Sequence, residues 1–153
     1  MKRCEESNDT AKNAILRCKK LHQFASIPKQ QHSLDAGFDL FAVEESIIPT
    51  MCTALVKTGI SIQFPEGTYG RIADRSSVAL KKMVSVCGGV VDNGYRGEVG
   101  VILFNHSKDD YTVNRGARIA QIIIQPYVSP IVEEVFELDK SERGEKCFGS
   151  TDV

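Results

Sequence analysis

The sequence predicts an all-β domain, a sandwich or barrel of short strands with a single short helix. Short apolar runs recur between Gly, Pro, Asn and Asp residues as far as Val128, and this spacing is typical of sandwiches and barrels. The chain has 153 residues, of which 42% are hydrophobic, so it is long enough for one domain with a real core. Residues 1–13 are polar and are expected to form a disordered extension.

Residues 60–64 give the clearest strand. Ile60, Ile62 and Phe64 alternate with polar residues, which indicates one buried face, and the P-E-G run at 65–67 ends the strand. Further along, Ser76 and Ser77 precede V-A-L-K-K-M. This pattern predicts one or two turns of helix with a serine cap, whose first backbone N–H groups point outward.

A hairpin is predicted in the stretch G-G-V-V-D-N-G-Y-R-G-E-V-G-V at 88–101. Asn93 and Gly94 lie between apolar runs, and both tolerate the positive φ of a type I′ turn. A turn needs only these two residues, yet Asp92, Tyr95 and two further charged side chains surround it. Such crowding indicates that the stretch also carries chemistry.

Two later strands are apolar on both faces, at residues 101–104 and 122–124. A lone domain of this size needs less apolar surface than that. Burial against sister subunits explains the surplus, and a fully buried core strand explains it equally well.

The C-terminal part breaks the β pattern. In S-P-I-V-E-E-V-F-E-L, Ser129 is a candidate cap, Pro130 takes the first helical position and apolar residues follow at helical spacing, so local propensity predicts a helix. The residues after it are polar and aperiodic, as in a flexible tail. The tail nevertheless carries Arg143 and Phe148 beside a G-S-T run.

Composition excludes several classes of function. Nineteen basic and twenty acidic residues give a net charge of −1, which provides no overall positive field for nucleic acid. Five widely spaced cysteines argue against a disulfide framework or a zinc site, and the three histidines form no ligand pair. No apolar run is long enough for a signal peptide or a membrane span. We therefore expect a reduced intracellular protein, cytoplasmic or nuclear, that is neither secreted nor bound to a membrane.

Three clusters of residues together indicate a phosphorylated ligand. G-R-I-A-D-R-S-S at 70–77 sets the Arg75 guanidinium beside two hydroxyls and a helix N-terminus, a combination that holds phosphate oxygens. R-G-E-K-C-F-G-S-T at 143–151 offers a second such cluster with an aromatic ring. This combination fits a nucleoside polyphosphate hydrolase, because it offers two phosphate clamps, a ring that can stack and the Asp92 carboxylate.

With these residues the chain resembles the trimeric deoxyuridine triphosphatases, the dUTPases. The resemblance covers nearly the whole chain after residue 13 through five motifs in the family's order. They are D-A-G-F-D-L-F-A at 35–42, G-R-I-A-D-R-S-S at 70–77, G-G-V-V-D-N-G-Y-R-G-E at 88–98, R-G-A-R-I-A-Q at 115–121 and R-G-E-K-C-F-G-S-T at 143–151.

The resemblance implies a jelly-roll-like β-barrel over residues 14–138 that assembles as a homotrimer. Residues 130–138 would cross as a strand onto a neighbouring subunit instead of forming the helix that propensity predicts. Each active site would be built from all three chains. Residues 139–153 would be a flexible arm that closes over a neighbouring site.

The resemblance also implies a reaction, the hydrolysis of dUTP to dUMP and pyrophosphate, which limits dUTP and supplies dUMP for thymidylate synthesis. Asp92 would be the general base that deprotonates a water for in-line attack on the α-phosphorus. Mg²⁺, bound mainly to the phosphates, would neutralise charge on the leaving group. Asp39 would lie near the water shell of the metal or brace an arginine.

The same resemblance assigns the contacts with the substrate. Backbone groups around Gly89 and Val90 would pair with the uracil edge, and Tyr95 would lie against the deoxyribose, where a 2′-hydroxyl would clash. Taken alone, Tyr95 is equally a core aromatic with a solvated hydroxyl. Phe148 would stack on uracil. The residues expected at the phosphates and the arm are Arg75, Ser76, Ser77, Gln121, Arg143, Gly149, Ser150 and Thr151.

The chain departs from the family pattern in several places, and two of them are that Phe38 stands where tyrosine is common and Ser77 where glycine is usual. Asp74 stands where proline is usual, and a carboxylate beside phosphates is unfavourable unless it points away. Lys146-Cys147 replace a usual glycine pair, which stiffens the arm. A dUTPase-like nucleotide-binding regulatory protein with impaired turnover is therefore one alternative, and a dCTP deaminase relative is another. Glu98 and Arg118 are expected to be structural charges at a subunit interface.

Overall fold

In the computed structural model, residues 14–141 and Gly144 are described, and they form eleven strands and one short helix. The strands are β1 (Arg17–Lys20), β2 (Gly37–Phe41), β3 (Ser46–Ile48), β4 (Thr53–Lys57), β5 (Ile60–Gln63), β6 (Thr68–Ala73), β7 (Val84–Cys87), β8 (Val90–Val91), β9 (Gly100–Asn105), β10 (Tyr111–Val113) and β11 (Arg118–Pro126). Helix α1 (Ser76–Lys82) lies between β6 and β7. The predicted class, all-β with one short helix, is confirmed.

The four-stranded sheet, in the order β2-β11-β6-β8, gathers four of the five sequence motifs. Its strands pair antiparallel, with β11 between β2 and β6. Gln121 on β11 therefore stands opposite Asp39 on one side and Ala73 on the other. The remaining strands form a three-stranded sheet, β4-β9-β7, and two pairs, β1-β5 and β10-β3.

The core takes aliphatic side chains from all four sheets. The largest fully buried ones are Leu40, Ile48, Ile60, Ile62, Leu103, Ile119, Ile122, Val56, Val84, Val99, Val101 and Val113. Each contributes roughly 1.5–3 kcal/mol relative to an exposed position. β-Branched residues suit this role because their stiff side chains pack well on a pleated surface.

The strand predicted at residues 60–64 is confirmed as β5, which pairs with β1. Ile60, Ile62 and Phe64 are buried as expected. Ser61 is buried too, contrary to the predicted alternation, because its hydroxyl donates to the Arg96 carbonyl oxygen at 2.7 Å. The loop that contains Arg96 thus covers the second face of the strand.

Helix α1 forms where the sequence predicts it, but the predicted serine cap is wrong. The N-cap residue is Arg75, which makes no side-chain capping bond, and both serines lie in the first turn. The Arg75 carbonyl accepts the N–H groups of Val78 and Ala79, each at 2.9 Å. At the other end Met83 is the C-cap in the left-handed region, with φ 54°.

Replacing Met83 with glycine is expected to stabilise the protein. A side chain in the left-handed region costs about 1–2 kcal/mol, a cost that glycine avoids. Glycine also adds entropy to the unfolded chain, which offsets part of this gain. We therefore expect the free energy of unfolding of Met83→Gly to rise by about 0.5–1 kcal/mol. Urea unfolding at fixed protein concentration measures it. Met83→Ala is the control, and equal stability of the two variants would contradict the prediction.

The segment predicted as a hairpin, residues 88–101, folds differently. β8 pairs with β6, whereas β9 pairs with β4 and β7, so the two flanking strands do not pair with each other. The turn is present, since the Tyr95 N–H donates to the Asp92 carbonyl at 3.1 Å. Neither Asn93 nor Gly94 is among the described residues with positive φ. The predicted type I′ hairpin is therefore wrong, and the segment is a loop that links two sheets.

The second apolar face of β9 stays open within one chain. Val101 and Leu103 are buried, but Ile102 is 39% exposed and its cross-strand neighbour Leu55 is 61% exposed. On β11, Ile122 is fully buried while the two residues after it are half-buried. The alternative of a fully buried core strand is therefore wrong for the single chain. Burial against other subunits stays a prediction.

Residues 127–141 run outside the sheets without regular structure. The helix that local propensity predicts from Pro130 is absent from this described segment. Its apolar side chains are exposed, Ile131 at 97% and Phe136 at 108%. A helix here would be unstable, because most helix stability comes from packing and these apolar side chains have no surface to pack on within the described chain. Among the described residues, no helix is long and apolar enough to cross a membrane.

Candidate active site

The 88–99 loop, between β7 and β9, carries Asp92 on a backbone that is fixed on one side by β6. The Ile72 N–H donates to the Gly89 carbonyl at 2.7 Å. A Cβ at Gly89 would lie 2.3 Å from the Ile72 carbonyl oxygen, so only glycine lets the loop come this close. Val90 and Val91 then pair with Arg71 and Gly70.

Asp92 and Tyr95 line a shared cavity of about 380 Å³, here called the Asp92 cavity. Its other walls are Leu55, Lys57, Ile72, Gly88, Val90, Val91, Glu98, Val99, Gly100 and Ile102. The cavity is thus mostly apolar with a few polar groups, as small-molecule sites usually are. Asp92 also lines another cavity, with Tyr69 and Tyr127.

Tyr95 lies across its own loop. Its hydroxyl donates to the Glu98 carbonyl at 2.9 Å, and a Cβ at Gly97 would lie 2.4 Å from the hydroxyl oxygen. Gly97 therefore makes room for the ring. Tyr95 is 46% exposed. The alternative that it is a core aromatic residue is therefore wrong for the single chain.

Arg75 is held by Asp39. Arg75 Nε donates to Asp39 Oδ1 at 2.8 Å, and Gln31 Nε2 donates to Oδ2 at 2.9 Å. Arg118 Nη1 lies 3.5 Å from the same oxygen. Asp39 as a whole is 6% exposed, so the charged bond is largely sheltered from water and fixes the guanidinium. Of the two roles expected for Asp39, the structure shows the arginine brace.

A second cavity of about 250 Å³, here called the Arg75 cavity, joins residues of three motifs. It is lined by Gln31, Asp35, Ala36, Gly37, Asp39, Arg75, Ser76, Ser77 and Gln121. The guanidinium, two hydroxyls and an amide are donors suited to phosphate oxygens. Gln121 reaches the cavity because Gly37 has no side chain, since a Cβ there would lie 2.3 Å from Gln121 Oε1.

Asp74 points away from this cavity. Its Oδ1 accepts the N–H of Val86 at 2.5 Å, and its carbonyl accepts Gln121 Nε2 at 2.8 Å. Through this carboxylate, Asp74 is bonded to strand β7. Asp74 is therefore not among the residues that line the Arg75 cavity.

The structure brings the predicted residues together in two groups. Asp92, Tyr95 and Val90 line one cavity, whereas Arg75, the two serines and Gln121 line the other. The two cavities share no lining residue. Glu98 Oε1 accepts the Gly59 N–H at 2.8 Å, and the place of Glu98 at a subunit interface stays a prediction. The predicted arm residues Arg143, Phe148, Gly149, Ser150 and Thr151 lie outside the described residues.

Sequence reasoning missed several lining residues. Gln31 bonds Asp39 but belongs to no motif, and no local signal marks it. Gly100 lines the Asp92 cavity and leaves space for Leu55, which a Cβ would meet at 2.6 Å. A glycine inside an apolar strand run marks a close approach, and that signal could have found Gly100.

Comparison with known proteins gives one consistent result. Residues 23–152 match the dUTPase family. The deoxyuridine 5'-triphosphate nucleotidohydrolase of Oryza sativa subsp. japonica is 50% identical over 139 residues, which are 91% of this chain and 81% of the rice protein. The protein of the same name from Clostridioides difficile is 47% identical over 138 residues, 89% of this chain and 96% of its own.

Solved structures give the same answer. The Staphylococcus bacteriophage 80alpha dUTPase with dUPNHPP superposes with a TM-score of 0.84 at 30% identity, covering 91% of this chain and 99% of that chain. A mutant dUTPase from phage phi11 of S. aureus, described with a structural Mg(II) ion, superposes with a TM-score of 0.77 at 26% identity. That match covers 82% of this chain and 99% of the phage chain.

Proposed function

This chain belongs to the dUTPase family, and we propose that it hydrolyses dUTP to dUMP and pyrophosphate at sites that sister subunits share. The observation that carries this proposal is the division of its functional residues into two cavities. The Asp92 cavity has the carboxylate and the apolar walls that a nucleoside needs, and the Arg75 cavity has the donors that phosphates need. Neither alone completes a site for a nucleoside triphosphate.

A homotrimer resolves this division. The Asp92 cavity of one subunit would face the Arg75 cavity of the next, and the arm of a third would close the site. The open apolar face of Leu55 and Ile102 and the exposed residues of the 127–141 segment support such an assembly. Both surfaces are apolar, as the interfaces of obligate assemblies are.

In the shared site Asp92 acts as the general base. It deprotonates a water that attacks the α-phosphorus in line, and pyrophosphate leaves on the opposite side. Arg75 holds phosphate oxygens through its two terminal guanidinium nitrogens, because Asp39 accepts its bond from Nε. Ser76 and Ser77 donate from the first turn of α1, and Gln121 adds its amide at the edge of the cavity.

The residues fit Mg²⁺ carried by the triphosphate and not caged by protein. Among the described residues, no group of three or more His, Cys, Asp or Glu side chains could enclose an ion. Asp39, whose oxygens accept bonds from Gln31 and Arg75, is expected to reach the ion through a coordinated water. When bound, the ion would neutralise charge that develops on the departing pyrophosphate.

Specificity for deoxyuridine comes from the backbone near Gly89 and from Tyr95. The chain there is held against β6, so its groups present a fixed pattern to the uracil edge. A thymine methyl would clash with the loop. Cytosine would leave polar groups of the occupied site unpaired, which lowers kcat/KM by roughly 10⁴-fold or more. The Tyr95 ring, held by Glu98, would block a 2′-hydroxyl.

The direct test is pyrophosphate release in the presence of magnesium. We expect rapid release from dUTP and far slower release from dCTP, dTTP and UTP. Ammonia release from dCTP would instead indicate a deaminase. Tight dUTP binding without pyrophosphate release would indicate a regulatory nucleotide-binding protein.

Removing the Tyr95 ring is expected to relax discrimination against the 2′-hydroxyl. In Tyr95→Ala the barrier to the ribose is lost, so the ratio of kcat/KM for dUTP over UTP should fall by about 10-fold or more, corresponding to at least about 1.4 kcal/mol. Tyr95→Phe is the matched control, because it keeps the ring and removes only the bond to Glu98. If the rates with dUTP and UTP fall by the same factor, the ring has a packing role and is not a sugar gate.

A further inference from the structure

Asn93, directly after the catalytic base, makes contacts that turn formation does not require. Its side-chain Nδ2 donates to two backbone carbonyls, Pro65 at 2.8 Å and Thr68 at 2.7 Å. Pro65 lies in the turn between β5 and β6, and Thr68 is the first residue of β6. This turn is closed by its own bond from the Thr68 N–H to the Pro65 carbonyl at 3.2 Å. One amide therefore joins two turns that are far apart in sequence.

The backbone at this position needs no special residue. Asn93 and Gly94 have ordinary φ values, and a Cβ at Gly94 would meet nothing within 4 Å. Turn geometry alone would accept many residues here. The property that distinguishes Asn93 is thus its donor amide, half-buried between two carbonyls.

Strand pairing stops just before Asp92. Val91 opposite Gly70 is the last pair between β8 and β6. Asp92 is the next residue, and it is exposed at the edge of its cavity. Arg96 bonds the Asn93 carbonyl at 2.5 Å, but that contact closes the turn on itself. The contacts of Asn93 to the β5–β6 turn anchor it to the body of the domain.

We propose that Asn93 is a positioning residue for the general base. This inference rests on the proposed function and deepens it. The part of the loop expected to contact uracil, near Gly89 and Val90, is held independently by pairing with β6. Loss of the Asn93 amide therefore moves the base while leaving the nucleoside contacts in place. The signature is a fall in kcat with nearly unchanged binding.

The test compares Asn93→Ala and Asn93→Gly with wild type. We expect kcat for dUTP to fall by about 10- to 100-fold in both variants, because misplacing a catalytic group by about 1 Å can cost 10²-fold. Affinity for dUpNHpp, measured by calorimetry, should stay within about threefold of wild type. Retained kcat in Asn93→Gly would overturn the inference, because that variant keeps the turn and lacks the amide.

Gly94→Ala is the matched control on the same turn. Its φ is ordinary and the site is open, so turnover should match wild type. A large loss in this variant would show that turn conformation, and not the amide, controls the base, which would also overturn the inference. Parallel loss of kcat and dUpNHpp affinity in the Asn93 variants would do the same. Absence of dUTP hydrolysis by the wild-type protein would instead contradict the proposed function itself.

Discussion

Asp92→Asn is expected to bind dUTP with nearly wild-type affinity and to turn it over about 10²- to 10⁴-fold more slowly. Asparagine keeps the size and hydrogen-bonding shape of the side chain but cannot take a proton from water. The neighbouring walls of the Asp92 cavity, including Ile72, Val91 and Tyr95, are untouched by the change. The loss should therefore appear in kcat and leave the substrate contacts intact.

Pyrophosphate release under saturating dUTP, together with calorimetric binding of dUpNHpp, measures both quantities. Asp109→Asn is the matched control, because Asp109 is also an exposed aspartate but lines neither the Asp92 cavity nor the Arg75 cavity. It should behave as wild type. Turnover near the wild-type rate in Asp92→Asn would mean that another group deprotonates the water.

Truncation after Lys140 is expected to abolish turnover while preserving the assembly. It removes Arg143, Phe148, Ser150 and Thr151, the residues expected to close over the phosphates and uracil. It spares residues 130–138, which are expected to cross between subunits, so sedimentation should still show a trimer. Dissociation of the truncated protein would place the assembly contacts in the arm and contradict this division of roles.

Mixing the two inactive proteins tests whether sites are shared. Chains with Asp92→Asn keep the arm, and truncated chains keep the base. After unfolding and refolding together in equal amounts, about one quarter of the sites in random trimers should combine a base from one chain with an arm from another. Activity should return to about that fraction of wild type.

The two proteins refolded separately and then mixed are the control, and they should stay inactive. Composition of the mixed trimers can be confirmed by native mass spectrometry, because the chains differ in mass. If trimers of confirmed mixed composition are as inactive as their parents, each site takes its base and arm from one chain. The separation of the Asp92 and Arg75 cavities would then need another explanation.

Local patterns predicted the elements that depend on neighbouring residues. The alternation at Ile60, Ile62 and Phe64 correctly predicts β5, and the serines before V-A-L-K-K-M correctly predict α1. These predictions succeed because side-chain periodicity and backbone preference act over a few residues. The motifs likewise marked Arg75, its two serines and Gln121, which the fold gathers in one cavity.

Local patterns misled where distant contacts decide. Asn93-Gly94 has the composition of a type I′ turn, yet β8 and β9 each pair with other strands, so no hairpin geometry selects that turn. Residues 130–138 have helical spacing, yet no partner surface is present along the described chain to stabilise a helix. In both cases tertiary packing outweighs preferences worth about 1 kcal/mol or less per residue.

The sequence by itself determined the β class, the order of the motifs and the chemistry they carry. Only the tertiary structure decided how the side chains of these residues are oriented. It turns Asp74 toward Val86, braces Arg75 with Asp39 and ties Asn93 to the β5–β6 turn. The reason is that each of these bonds joins groups that are distant along the chain, with separations of 12, 36 and 28 residues. Such pairs meet only when sheets have assembled, and no pattern of neighbouring residues specifies which donor will reach which acceptor.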